Sequence, residues 1–251
     1  MNIKFPSQEQ IPQLCQLWKQ AFGDSDAFLD IFFSTAFAPE RCRCVVDGET
    51  VAAALYWFSC EAGGQPVAYI YAVATHEKFR GQGLCRRLMA DTHSHLTALG
   101  YAGALLVPGD EGLREMYRAM GYRDQTCVQR FSCGAGTPIF LEPIDSAAYA
   151  VLRRQRLPAG GVLQEGENLC FLEQIAQFYR GEDLLLCAVK DGSKLVVPEL
   201  LGSKEAAPGI VAALGCEEGV FTVPGKAEPF AMGIALVPDF QQPSHFAFAF
   251  D

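Results

Sequence analysis

The sequence predicts a mixed α/β layer fold repeated once along the chain, and three observations carry that reading. A β-branched and aromatic segment at 67–75 leads through a glycine-rich loop to an amphipathic stretch at 84–99 and a second apolar segment at 103–107. Such a strand–helix–strand step forms a right-handed parallel crossover. The order helix, helix, strand, strand then recurs in the second half. Between the halves, residues 133–143 carry Gly134, Gly136, Pro138 and Pro143, the composition of a linker. The expected division is therefore 1–132, a linker at 133–143, and 144–251.

In chain order, Ser7-x-x-Gln10 has the form of a capping box, and Ile11, Leu14, Cys15, Trp18, Ala21 and Phe22 follow at helical spacing, predicting a helix over 8–22. Residues 23–26 break it, and Phe28, Ile31, Phe32 and Thr35 restart the stripe. Strands follow at 43–46 and 51–58, joined at Asp47-Gly48, and Gly63-Gly64 turns the chain into the central strand at 67–75. Beyond the helix ended by Gly100 and the strand at 103–107, a short helix spans 111–120 and stops at Gly121. In the second half, Asp145 and Asn168 are expected to cap two helices. Strands are expected at 184–189 and 194–200, a helix at 206–214, and strands at 220–223, 230–236 and 246–250. The steps Val107-Pro108-Gly109 to Ala119-Met120-Gly121 and Val223-Pro224-Gly225 to Ala231-Met232-Gly233 echo each other, as a tandem duplication would whose second copy lost the helix around Tyr117.

The chain has 251 residues, half of them hydrophobic, enough for one large core or two ordinary ones. No apolar run approaches the roughly 20 residues of a membrane-spanning helix. The first ten residues carry no apolar run with a cleavage site. The expected setting is cytoplasmic, with no membrane partner. Ten cysteines are scattered singly, without a repeated Cys-x-x-Cys or a histidine at ligand spacing, so reduced core thiols are expected and no metal site. A formal net charge of −9 opposes nucleic-acid binding and favours cationic small molecules.

Chemistry concentrates between Val73 and Arg87, where a strand enters a loop with Gly81 and Gly83 and the loop opens a helix. Glycines allow successive backbone N–H groups to converge without a Cβ in the way, and the helix start adds unpaired donors and its positive dipole end. The loop suits a pyrophosphate, with Arg80 and Arg86 adding charge. A dinucleotide fingerprint would need glycine or alanine where Arg86 stands, and the Gly-Lys-Ser/Thr of a nucleoside-triphosphate loop is absent.

The segment resembles the acetyl-CoA-binding motif of GNAT acetyltransferases, in which a strand ending Val-x-x-His precedes Arg/Gln-x-x-Gly-x-Gly/Ala and a long helix. Lys78 stands where that family has Gln or Arg, and Glu77 where it often has proline. The likeness continues through Leu105–Pro108 to Tyr117-x-x-x-Gly121-Tyr122 and covers about residues 1–132. It implies a GNAT fold and transfer of an acetyl group from acetyl-CoA to a primary amine of a small-molecule acceptor. Val73, Ala74 and Thr75 would pair with the pantetheine arm. Arg80, Gly81, Gln82, Gly83, Leu84, Cys85 and Arg86 would hold the pyrophosphate. Tyr117 would protonate the departing thiolate.

Periodicity alone places Tyr117 with Leu113, Met116 and Met120 on a core face, and aromatic residues such as Tyr69 and Tyr71 suit strands anyway. Cys85, near a helix start, could be an activated thiol, but no histidine partner is evident. Asp24, Asp26 and Tyr71 are the acceptor-side candidates, the two aspartates also being ordinary N-caps. The second half lacks the phosphate loop around Gly202 and any tyrosine answering to Tyr117, so it resembles a degenerate GNAT-like copy, distantly like the enhanced-intracellular-survival type. It is expected to bind no acyl-CoA and to close the acceptor side. The rival is a catalytically silent acyl-CoA sensor or a protein-association module. A homodimer is left open.

Overall fold

The structure, a computed structural model, describes residues 1–250. The chain forms two compact units. The first takes Met1–Cys60, Gly64–Arg123 and Gly233–Phe240, and the second takes Glu61–Gly63, Asp124–Met232 and the chain from Gln241.

In the first unit, β1 (Asn2–Lys4) precedes α1 (Ile11–Phe22), whose approach is fixed by the Ser7 N–H donating to Gln10 Oε1 at 3.0 Å. Gly23, at φ +79°, ends α1 by donating its N–H to the Lys19 carbonyl, a left-handed stop that costs glycine little. After α2 (Asp26–Thr35) come β2 (Cys42–Asp47), β3 (Thr50–Ala62) and β4 (Gln65–Thr75). α3 (Leu84–Ala98) crosses to β5 (Gly103–Leu106), which is parallel to β4, and α4 (Glu111–Arg118) leads to β6 (Arg123–Asp124). Leu88, Met89 and Leu96 of α3 and Leu14, Leu17 and Trp18 of α1 are buried, as their helical spacing requires.

The second unit contains β7 (Cys127–Gly134), β8 (Glu142–Ile144), α5 (Ser146–Arg156), β9 (Leu163–Gln164) and α6 (Glu167–Ile175). It continues with β10 (Gln177–Arg180), β11 (Leu185–Asp191), β12 (Lys194–Leu201), α7 (Ala207–Ala213), β13 (Glu218–Pro224) and β14 (Glu228–Pro229). Its core packs Ile210 and Val211 of α7 with Leu186, Leu195, Val197 and Phe221. β12 and β13 are parallel, like β4 and β5. Only Gly225, Lys226 and Ala227 separate β13 from β14, so α4 has no counterpart here.

The last strand, β15 (Met232–Ala235), joins the first sheet, which runs β1-β2-β3-β4-β5-β15-β6. The second sheet runs β14-β7-β13-β12-β11-β10-β8. Each parallel pair is thus flanked by a strand distant in sequence: β15 beside β5, and β7 beside β13.

Three local expectations need correction. Gly166, not Asn168, stands at the start of α6; Asn168 lies inside its first turn, buried, and donates to the Glu165 carbonyl. Residues 246–250 form no ladder strand. Phe248 instead exchanges hydrogen bonds with the Gln164 side chain, at 2.9 and 3.2 Å. No cysteine forms a disulfide, but the thiols are not uniformly in the core, since Cys170 is exposed. Among the described residues no helix is long and apolar enough to cross a membrane.

Candidate active site

The site is built on the end of β4. Its parallel pairing with β5 runs Val67 to Gly103, Ala68 to Ala104 and Tyr69 to Leu105, and there it stops, while β4 continues six residues to Thr75. Within that overhang Ala72 has φ +47°, the one non-glycine residue in the left-handed region among the described residues. A left-handed alanine costs about 1–2 kcal/mol and persists only where the surroundings enforce it. The continuous burial of β4 from Val67 to Tyr71 ends at the same point, Ala72 and Val73 both being half-buried. The overhang therefore presents backbone groups of residues 73–75 for pairing with something other than β5.

His76 then turns the chain. Its N–H donates to the Ala52 carbonyl at 2.9 Å, and its Nδ1 accepts from the Lys78 N–H at 3.2 Å. Gly81 and Gly83 have φ +75° and +73°, and a Cβ at either would meet nothing within 4 Å. Neither glycine is demanded by the protein's own packing; both answer to backbone conformation and to whatever approaches the loop. Gly83 is the N-cap of α3, so the first-turn N–H groups of Leu84, Cys85 and Arg86 have no partner within the helix.

The side chains divide the labour. Leu84 is buried and offers only its N–H. Arg80 and Arg86 are exposed; Arg80 Nε donates to the Thr75 carbonyl at 3.2 Å, and Arg86 Nη1 to the Ala119 carbonyl at 3.3 Å. The Thr75 carbonyl is thus already engaged, by an exposed arginine. The Arg86 contact ties the start of α3 to the end of α4, which carries Tyr117. Gln82 donates to the Lys78 carbonyl. Burial pushes the Cys85 thiol up, outweighing the adjacent Arg86, so Cys85 is not an activated thiolate.

Tyr117 is 6% exposed. Its hydroxyl makes no hydrogen bond among the described residues, and burial, with Cys85 nearby, raises its pKa. Its ring meets Tyr122 edge-on at 5.8 Å. Tyr122 is held in turn by a 2.8 Å hydrogen bond to His93 Nε2 on α3, and burial lowers His93 to about 4, leaving it neutral. The result is a fixed, protonated phenol with an uncommitted hydroxyl.

On the acceptor-side candidates the structure separates three residues. Ser25, not either aspartate, caps α2, its Oγ accepting from the Phe28 N–H. Asp26 is exposed and paired with Lys19. Asp24 is half-buried and accepts the Trp18 indole N–H at 2.7 Å. Trp18 also stands edge-on to Tyr71 at 5.4 Å, within an aromatic cluster that includes Phe32, Tyr56 and Phe58. Asp24 and Tyr71 therefore meet through Trp18, and Asp26 does not join them. Trp18 was readable only as a core residue on the α1 stripe; the hint to its second role was Asp24 just past the stop at Gly23. His93 carried no motif at all.

The family model of the acetyltransferase (GNAT) domain matches residues 2–124. Solved structures share the fold across nearly the whole chain. A GCN5-related N-acetyltransferase from Anabaena variabilis is 17% identical, with a TM-score of 0.74, covering 94% of this chain and 73% of its own. Eis1 from Mycobacterium abscessus is 13% identical, with a TM-score of 0.67, covering 94% and 74%. A tandem GNAT protein from the clavulanic acid biosynthesis pathway is 12% identical, with a TM-score of 0.56, covering 95% of this chain and all of its own. No curated protein matches the sequence.

Proposed function

Because the chain belongs, through residues 2–124, to the GNAT acetyltransferases, we propose that it transfers an acetyl group from acetyl-CoA to a primary amine of a small cationic acceptor. The observation that carries this reading is the overhanging end of β4 running into a loop whose two glycines hold left-handed backbone over open space. Val73, Ala74 and Thr75 pair with the pantetheine arm as an added strand would. The first-turn N–H groups of α3, with Gly81, Gln82, Arg80 and Arg86, receive the pyrophosphate.

The amine nitrogen attacks the thioester carbonyl, the C–S bond breaks, and an amide forms. Tyr117 gives its proton to the departing sulfur and regains one from the amine by way of solvent. Its raised pKa keeps the proton in place until negative charge develops beside it. Asp24, oriented by the buried Trp18 that packs edge-on to Tyr71, attracts the acceptor's cationic group. The test is thiol release from acetyl-CoA with a panel of primary amines. Cationic amines with an apolar body should turn over. CoA binding without turnover on any amine would make the chain an acyl-CoA sensor instead.

A further inference from the structure

The second unit carries a groove of about 590 Å³ with no role in the chemistry above. Leu152, Leu184 and Ala206 give it an apolar floor. Phe140 stands at its margin, 79% exposed, the most exposed of the large hydrophobic residues. Arg156, Glu182 and Asp183 line the groove as well, all exposed. None of these three charges pairs with another group among the described residues, although their neighbours do: Arg180 with Glu142, and Arg154 with Glu165.

An exposed aromatic that continues into an apolar groove forms one patch suited to a protein partner. Across a two-fold axis, however, it becomes self-complementary: each copy's knob faces the other's hole, and each copy's unpaired cation faces the other's unpaired acids. We propose that two copies of this chain pair through the second unit, each seating its Phe140 in the other's groove. Arg156 of each copy pairs with Glu182 and Asp183 of its partner. The charges set the orientation, and the ring supplies the buried anchor.

Sedimentation velocity on the full chain tests this. The wild type should be a dimer at micromolar concentration. Phe140→Asp, at an exposed position where no cavity results, should weaken the dimer by about 30-fold or more, the effect of losing an aromatic anchor. Arg156→Glu alone, and Glu182→Lys with Asp183→Lys alone, should each be monomeric, whereas an equimolar mixture of the two should pair, because every cross-contact is again between opposite charges. Misfolding could not produce that rescue. A monomeric wild type, a dimer indifferent to Phe140→Asp, or a mixture that fails to pair would each overturn the proposal.

Discussion

Trp18 donates its indole N–H to Asp24 at 2.7 Å while its ring stands edge-on to Tyr71, so a single buried side chain links the turn after α1 to the strand that leads into the glycine loop. The arrangement depends on Gly23, whose left-handed conformation turns the chain back toward Trp18.

Asp24→Asn keeps an acceptor for the Trp18 indole and removes only the charge. The KM for cationic amines should then rise by about 10-fold or more, the worth of a charged hydrogen bond, with CoA affinity unchanged. Steady-state kinetics at saturating acetyl-CoA check this. An unchanged KM would take Asp24 out of the acceptor site.

Gly83→Ala separates backbone strain from ligand contact. At φ +73° any side chain is strained, so the variant should lose about 1–2 kcal/mol of stability. Gly48→Ala, at φ +59° and equally open in the β2–β3 turn, is the control and should lose about the same. Only Gly83→Ala should also lose CoA affinity, because only there does the new Cβ face the pyrophosphate. Equal CoA affinity in the two variants, measured by calorimetry, would remove the assignment.

Much of this site was legible because it is local. The loop with Gly81 and Gly83, the helix after it and the placement of Tyr117 near the end of α4 all follow from residues close together in the chain. Tyr122, which steadies Tyr117, was visible as part of the same motif. Its partner His93 was not, since a histidine within a helical stripe has no signature of what it meets 29 residues on. Long-range pairing was equally silent. The Leu236 N–H bonds to the Ala102 carbonyl, and nothing in the alternation of 230–236 says which sheet receives it. The alternating phenylalanines of 246–250 read as a strand, but at Phe248 both backbone groups go to the Gln164 side chain, a partner that no period-2 pattern reveals.

His93 gives the first unit a pH dependence of definite sign. Burial holds the folded imidazole at about 4, below its ordinary 6.5, so between these values the unfolded chain binds a proton that the folded chain refuses. Stability should therefore fall as pH falls through that window, by at most about 1.4 kcal/mol per unit from this residue. His93→Gln can still bond Tyr122 and cannot titrate. Its urea midpoint should depend less on pH between 6.5 and 4 than the wild type's, and parallel curves would contradict the account.

In the second unit, Arg153 and Glu199, each 1% exposed, form a two-pronged ion pair, with Tyr149 also donating to Glu199 at 2.6 Å. Burial opposes the charge on Glu199, but Arg153, His245 and Tyr149 outweigh it and lower the carboxyl to about 2. Its contribution is present above the ordinary pKa of 4.5 and is lost as pH falls through about 2. Glu199→Gln, which strands a buried guanidinium, should cost about 3–5 kcal/mol, whereas Arg153→Met with Glu199→Leu should cost far less. Chemical denaturation of the three chains decides this. Equal losses in the single and double variants would mean that packing, not the pair, sets the stability.

The most direct test of the central claim compares Tyr117→Phe with the wild type in two measurements on the same preparations: CoA affinity by calorimetry, and amide formation from acetyl-CoA and a cationic amine. The ring and its edge contact with Tyr122 survive the change, and the hydroxyl has no hydrogen-bond partner among the described residues whose loss would destabilise the fold. The account predicts unchanged CoA affinity with kcat lowered by about 10²–10⁴-fold, the usual cost of a lost general acid. Wild-type kcat in the variant would contradict it and return Tyr117 to the core.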